Sequence, residues 1–376
     1  MRVLLISNGP ADEDQALVLA RRQVPLLHEL RLRGVEPIVA LCGDGGRLAD
    51  RLRRESIDVR LVSTPLPPSA TALRMLPRTV WELRRIIRST APDVVEGDEP
   101  MPAIAAGLAS LPVPRARVVV YRRHHHGGRM RLHLASRLAS RLTDATMVSC
   151  ETMRQYAAKV DRVSLERIEL TTSGGVDPFA DVDATDPRAE LAIPAGTPIL
   201  TVVSQLRRQK GIDVFLAALE HVEADVHAVI VGAGPEERAL RRLAARSLLP
   251  VHFLGHRRDA TRWLAAATVV VMPSREESFG RVAVETMAAG RPLIGTAVGG
   301  LIDAIADGET GIVVPPENPK ALAEAIDALL ADRGRAEEMG RKARQRFEGQ
   351  YTIAKMAQSW TDGWQRVLRA KAERLR

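Results

Sequence analysis

The sequence predicts an α/β protein of two domains, each an open sheet of mostly parallel strands with helices on its faces. Three observations carry this. Residues 2–7 form an apolar run that stops at Asn8-Gly9-Pro10, a helical pattern follows through Leu17, Ala20, Val24, Leu27 and Leu30, and after Gly34 a second strand pattern covers residues 35–41. A strand, helix, strand order of this length forces a parallel pair. A second series of the same kind starts at Ile199, after a polar, proline-bearing and aperiodic stretch over residues 181–198 that fits a linker. Finally, 376 residues with 45% apolar content are more than one hydrophobic core usually serves. The expected boundaries are 1–177 for the first domain, 178–198 for the linker and 199–352 for the second.

Composition narrows the function classes. No stretch of about 18 apolar residues exists, and the opening residues lead straight into a strand pattern rather than a cleavable leader, so a soluble, cytoplasmic protein is expected. Cys42 and Cys150 have neither metal nor redox spacing and are expected as reduced thiols. The net charge of +8 is uneven: residues 1–177 hold 27 Lys+Arg against 20 Asp+Glu, which leaves 27 against 26 for the rest. In the basic half Arg115, Arg117, Arg122, Arg123, Arg129, Arg131, Arg137 and Arg141 form a run without acids. Such a run attracts an anionic membrane surface, at the inner membrane face, or a phosphorylated acceptor. The dominance of arginine over lysine along the whole chain is the competing, purely compositional explanation. Nucleic acid is not expected as a partner, because no aromatics interleave with these arginines to stack on bases.

In chain order, further strands are expected at residues 59–62 and 94–96, with helices near 46–54 and 78–89. Ligands of open α/β sheets bind outside the carboxyl ends of strands, which singles out the loops at Gly9, at Glu96-Gly97-Asp98-Glu99 and after Tyr121. Gly9 would let backbone approach a phosphate. The strand over residues 118–121 delivers Arg122-Arg123-His124-His125-His126-Gly127-Gly128. Three adjacent histidines in one loop do not easily all face one tetrahedral metal, and no acid or cysteine pair accompanies them, so no metal is assigned. They remain either a solvated loop or a substrate-contacting group. A helix over 134–142 and a strand over 145–149 follow, then a helix start at Ser149 or Thr152, a return to the sheet over 161–172, and a turn-rich exit at residues 173–178.

In the second series the strand 199–203 is followed by Ser204-Gln205-Leu206-Arg207-Arg208-Gln209-Lys210-Gly211 and a helix over 212–219. A cation at a helix start opposes the helix dipole, which argues against a purely structural Lys210. The strand 226–231 runs into a loop at Gly232-Ala233-Gly234, and that loop is explained equally well as a tight turn before a helix. A strand at 251–256 precedes Arg257 and Arg258. The most informative stretch is residues 269–289. A β-branched run stops at Pro273, a polar loop carries Glu277, Phe279 and Gly280, and from Val282 a buried helix holds Glu285. Unpaired N–H groups around Phe279, Gly280 and Arg281 then favour an anion, and two carboxylates flank it. The bland alternative is that the acids merely offset a helix dipole. A last strand at 311–315, helices at 319–330 and 335–350, and a helix from 353 with Met356, Trp360, Trp364, Val367 and Leu368 on one face complete the chain.

The Glu277 to Glu285 spacing, with Ala289-Gly290-Arg291-Pro292-Leu293-Ile294, Val298-Gly299-Gly300-Leu301 and Asp307-Gly308-Glu309-Thr310-Gly311, resembles glycosyltransferase family 4, retaining sugar transferases of the GT-B fold. The resemblance is specific from about residue 202 to 331 and looser elsewhere. It implies two Rossmann-like domains facing a central cleft, with helix 353–376 crossing back onto the first, acceptor-side domain. It implies a metal-independent enzyme without cofactor that takes a nucleotide diphosphate sugar as donor. By the same resemblance His124 or His125 and Lys210 and Glu277 are catalytic. Gly9, Gln205, Arg207, Arg208, Lys210, Gly232, Arg257, Glu277, Phe279, Gly280, Arg281 and Glu285 line the donor. Gln205 stands where the family has an arginine, so Arg207 or Arg208 is expected to supply the second cation. The first loop also departs from the family's glycine pair and glutamate. Alternatives that fit the sequence are a sugar-nucleotide epimerase of the same fold and a non-catalytic nucleotide-sugar binding protein.

Overall fold

Strands β1 (Arg2–Asn8), β2 (Glu36–Cys42), β3 (Asp58–Val62), β4 (Val94–Gly97), β5 (Val118–Arg122), β6 (Ala145–Val148) and β7 (Ile168–Leu170) form one parallel sheet in the order β3-β2-β1-β4-β5-β6-β7. The computed structural model describes residues 1–9, 13–43, 45–63, 70–111, 118–122, 130–179 and 186–376. Side chains alternate across the pleat, and the two faces of this sheet build two separate cores. Val3, Val39, Leu41, Val94 and Val120 pack against α1 (Glu13–Leu32), α2 (Gly46–Arg54) and the terminal helix (Ile353–Arg374). Leu4, Ile6, Ile38, Ala40, Val95, Val119 and Tyr121 pack against α3 (Ala70–Thr90), α4 (Pro100–Ser110) and α5 (Met130–Leu142). The edge helix is α6 (Glu151–Lys159).

A second parallel sheet holds β8 (Ile199–Val203), β9 (His227–Val231), β10 (Val251–Phe253), β11 (Val269–Met272), β12 (Leu293–Thr296) and β13 (Gly311–Val314) in the order β10-β9-β8-β11-β12-β13. Its helices are α7 (Ile212–Ala218), α8 (Glu237–Ala244), α9 (Ala260–Ala266), α10 (Arg281–Ala288), α11 (Leu301–Ala304), α12 (Pro319–Ala331) and α13 (Arg333–Arg346). The chain divides into two units, Met1–Val176 with Ile353–Arg376, and Asp177–Thr352. Both are α/β with one parallel sheet each, as the strand and helix periods predict. The terminal helix lies in the first unit, where Met356, Trp360, Trp364 and Val367 are buried.

Three local expectations change. The helix expected near 78–89 runs over Ala70–Thr90 with Pro77 inside it. The return to the sheet over 161–172 shrinks to Ile168–Leu170 behind a short 3-10 turn at Leu165–Arg167. From Asp186 onward the expected linker is a packed part of the second unit. Pro187 and Ile193 are buried, Ile193 packs with Val229, Val231 and Trp263, and Arg188 donates to the Ala266 carbonyl at 3.2 Å. A stretch that is polar on average still buries its few apolar side chains. Helix α4 has no counterpart in the sequence reading, because nine of its eleven residues are buried and no amphipathic period shows; its two prolines sit in the first turn, where a missing N–H costs nothing. No helix among the described residues is long and apolar enough to cross a membrane.

Candidate functional site

In the second sheet the chain direction of crossovers reverses between β8 and β11, and the crevice outside the carboxyl ends of those strands is where such sheets take ligands. The loop after β8 carries Lys210 and the loop after β11 carries Glu277. Lys210 Nζ donates to Glu277 Oε2 at 2.6 Å, with the two side chains 28% and 11% exposed. The topology thus brings together, across 67 residues of sequence, the cation and the carboxylate that the sequence singled out.

Backbone packing fixes both loops. Gly211, at φ 63°, caps the start of α7, and a Cβ there would overlap the Pro273 carbonyl oxygen, so only glycine lets the Lys210 turn lie on the Glu277 loop. Gly299, at φ 49°, does the same from the β12–α11 loop, backing onto the Glu277 carbonyl. The N–H groups of Arg275 and Glu276 donate to the Gln209 carbonyl at 2.8 and 3.3 Å. Gly300 N–H donates to Ser278 and Thr296 Oγ1 to Ser274, at 3.1 and 2.5 Å.

Arg275, which sequence reasoning missed, is the hub of this interlock. Its guanidinium forms a two-pronged pair with the Asp213 carboxylate at 2.7 and 2.8 Å, donates to the Arg208 carbonyl at 2.9 Å, and pairs with Glu317 at the end of the sheet. These hydrogen bonds hold the Asp213 carboxyl below its ordinary range and push the guanidinium upward. A bidentate, charge-assisted pair of this kind orients as well as attracts. No local signal marks it, since Asp213 and Glu317 lie 62 and 42 residues away in the chain.

The other expected residues divide. Arg207 and Arg208 are exposed beside Lys210 and form no side-chain pair among the described residues. The Gln205 carbonyl accepts from Ser204 Oγ and from the Arg207 N–H. Gly280 (φ 90°) precedes α10, exposed Arg281 opens that helix, and half-buried Glu285 lies in its next turn. The Phe279 side chain is core: it is 6% exposed and lies 5.5 Å from the Tyr351 ring, so only its backbone remains for a ligand. Gly232 donates its N–H to the Gly255 carbonyl. Arg257, expected to line the donor, is engaged in ion pairs within the second unit. Asp259 and Glu190 hold its guanidinium at 2.7 and 3.0 Å, and Arg257 in turn pulls the Asp259 carboxyl down to about 2. Arg257 locks the turn before α9 onto residues 186–192.

In the first unit the corresponding switch point lies between β1 and β4 and is built differently. Asn8 Nδ2 donates to Glu99 Oε2 at 2.8 Å, and burial pushes the Glu99 carboxyl up. Fully buried Glu96 accepts from Trp364 Nε1 at 2.7 Å. Gly9 spends its N–H on the Cys42 carbonyl at 2.9 Å, so it is not an open donor toward a phosphate. His124, His125 and His126 lie outside the described residues.

Comparison with known proteins places both units in a family. The model for glycosyl transferases group 1 matches residues 183–346, and that for glycosyltransferase family 4 matches residues 20–177. A D-inositol 3-phosphate glycosyltransferase of Xylanimonas cellulosilytica is 35% identical over 202 residues, 51% of this chain and 48% of the relative. This chain therefore spans about half the length of that relative in the alignment. A 2-deoxystreptamine N-acetyl-D-glucosaminyltransferase of Streptomyces fradiae is 28% identical over 87% of this chain and 86% of its own. Among solved structures, Anabaena HepE in complex with UDP superposes with a TM-score of 0.80 at 21% identity, covering 96% of this chain and 99% of that one. Sucrose-phosphate synthase of Thermosynechococcus elongatus gives 0.78 at 22%, covering 98% and 100%. These two likenesses establish the GT-B fold. One family model on each half of the chain, over two sheets of this topology, makes the protein a member of glycosyltransferase family 4.

Proposed function

We propose that the protein transfers a sugar from a nucleotide diphosphate sugar to an acceptor hydroxyl, with retention at the anomeric carbon and with fixed cations in place of a metal. The observation that carries this is the Lys210–Glu277 pair at the switch point of the second sheet. A donor diphosphate entering there competes for Lys210 and frees the Glu277 carboxylate to accept hydrogen bonds from sugar hydroxyls. The two halves of the donor are then read by the two halves of one ion pair. As the leaving diphosphate gains charge, Lys210, Arg207 or Arg208, and the N–H groups at the start of α10 stabilise it electrostatically. Glu277 acts as an acceptor, not a nucleophile, and Glu285 holds the ribose. The HepE complex with UDP-glucose and the transferase names of the relatives support the donor class. Cys42 and Cys150, both buried and neither in a disulfide, fit a cytoplasmic setting.

Thermal shift and donor hydrolysis against a panel of UDP, GDP and ADP sugars test the reading. One nucleotide class should raise the melting temperature and turn over slowly. The absence of any shift or turnover across the panel overturns the proposal, as does full loss of activity in EDTA with rescue by magnesium or manganese.

A further inference from the structure

Helices α3, α4 and α5 cover one face of the first sheet, and the outer surface of that layer is one-sided in charge. The three helices contain eight arginines and a single carboxylate, Glu82. Two of these arginines are structural: Arg84 donates to the Leu108 and Ala109 carbonyls, and Arg137 to the Val160 carbonyl. On α3 the buried side is Thr79, Leu83, Ile87 and Thr90, and the opposite side carries Arg74, Arg78, Trp81, Arg85 and Arg88, all exposed. This spacing repeats every three or four residues, so the five side chains form one stripe pointing away from the sheet. Trp81, at its centre, is 57% exposed, and the Arg85 guanidinium lies 5.0 Å over its ring. On α5 the side opposite buried Ser136, Ala139 and Ser140 shows Leu134, Leu138 and Arg141, with the leucines 57% and 46% exposed.

From this we infer that the outer surface of the α3–α5 layer docks on an anionic phospholipid bilayer. Exposed arginines meet lipid phosphates, while an indole among them and a row of leucines sink to the level of the headgroups and upper chains, the combination that makes an interfacial helix. A nucleic acid would use the charges and leave Leu134 and Leu138 idle. A bilayer uses both kinds of side chain, and its uniform negative charge complements a surface with one acid. Of the acid-free arginine run of the sequence, Arg141 is exposed on this surface and Arg137 is turned inward, and most of the described charge comes from α3.

Vesicle flotation of the full chain tests the inference. Vesicles with about a third of anionic phosphatidylglycerol should carry the protein up, pure phosphatidylcholine should not, and about 0.5 M salt should release it. R85Q/R88Q should lower the partition coefficient about 25-fold, at about fivefold per arginine near the surface. L134S/L138S should lower it further at every salt concentration. Arg238→Gln with Arg246→Gln, two exposed arginines of the second unit, should change nothing. All these positions are exposed, so melting temperatures and nucleoside diphosphate affinity should stay at wild type, which separates this test from the donor reading. Equal binding to neutral and anionic vesicles, no binding at low salt, or unchanged binding in R85Q/R88Q overturns it. So does a duplex oligonucleotide that competes fully while L134S/L138S binds vesicles normally, since that marks a general polyanion surface.

Discussion

The two sheets share their strand order up to the sixth strand, and each has a switch point where a side chain at or beyond the end of its first strand meets one beyond its fourth. In the first unit the pair is Asn8 with Glu99; in the second it is Lys210 with Glu277. The scaffold is the same and the chemistry is opposite. An amide offers Glu99 no charge, and burial therefore wins and raises its pKa. The second site instead concentrates cations, with Lys210, Arg207 and Arg208 in one loop and Arg275 bracing the next. A fold supplies the crevice, and the side chains placed in it decide whether a polyanion is welcome there.

The largest effect should follow from removing the cation. Lys210→Ala is expected to lower turnover at least 100-fold, about 3 kcal/mol of transition-state stabilisation, with the melting temperature little changed. Asn8→Ala should leave donor binding alone. Wild-type turnover in Lys210→Ala breaks the comparison at its root. Next come the two glutamates of the second unit. Nucleoside diphosphate lacks the sugar, so Glu285→Ala should weaken its binding by about 1.5–3 kcal/mol, while Glu277→Ala binds it nearly normally and loses rate constant instead. Calorimetry and steady-state kinetics on both variants decide, and equal binding losses in the two refute the division.

A smaller effect is expected at Arg275, which touches no ligand in this reading and acts by positioning Glu277. Arg275→Ala should lower the rate constant about tenfold, roughly 1.4 kcal/mol of misplacement, and leave nucleoside diphosphate affinity within a factor of two or three. Arg275→Lys keeps the charge but not the fork toward Asp213 and Glu317, and should rescue little. Because the Asp213 pKa is lowered from its ordinary 3.8, the stability the pair gives is fully present above that value and is lost as pH falls through the folded pKa. Full recovery of rate in Arg275→Lys would reduce Arg275 to a point charge.

The sheets, and the two loops that bring Lys210 and Glu277 together, were legible in the sequence for one physical reason. Strands at the centre of a parallel sheet are buried on both faces and read as short β-branched runs, and ligand loops follow them by rule. Where burial is complete but helical, as in α4, the period vanishes and the element is missed. Long-range partners are equally silent. Arg257 reads as a free cation beside a ligand loop until Glu190 arrives from a stretch that looks like linker, and Arg275 reads as ordinary loop polarity until Asp213 and Glu317 close on it. The family resemblance located the acids but carried no information on what holds them still.

The smallest expected effect sharpens the comparison from the side of the first unit. Burial raises the folded pKa of Glu99 above its ordinary 4.5, with the Asn8 hydrogen bond pulling weakly the other way. A carboxyl with a raised folded pKa contributes stability that is complete below the unfolded value and is lost as pH rises through the folded one, the reverse of Asp213. Glu99→Gln cannot ionise, and its side-chain oxygen still accepts from Asn8. It should therefore match wild type at low pH and become the more stable protein toward neutrality, by less than about 1 kcal/mol. Melting temperatures of the two proteins from about pH 4 to 8 measure this, with nucleoside diphosphate affinity as the control. A Glu99→Gln protein that falls further behind wild type as pH rises would mean that the ionised carboxylate is stabilised where it sits, and the first switch point would then resemble the second in its preference for paired charge.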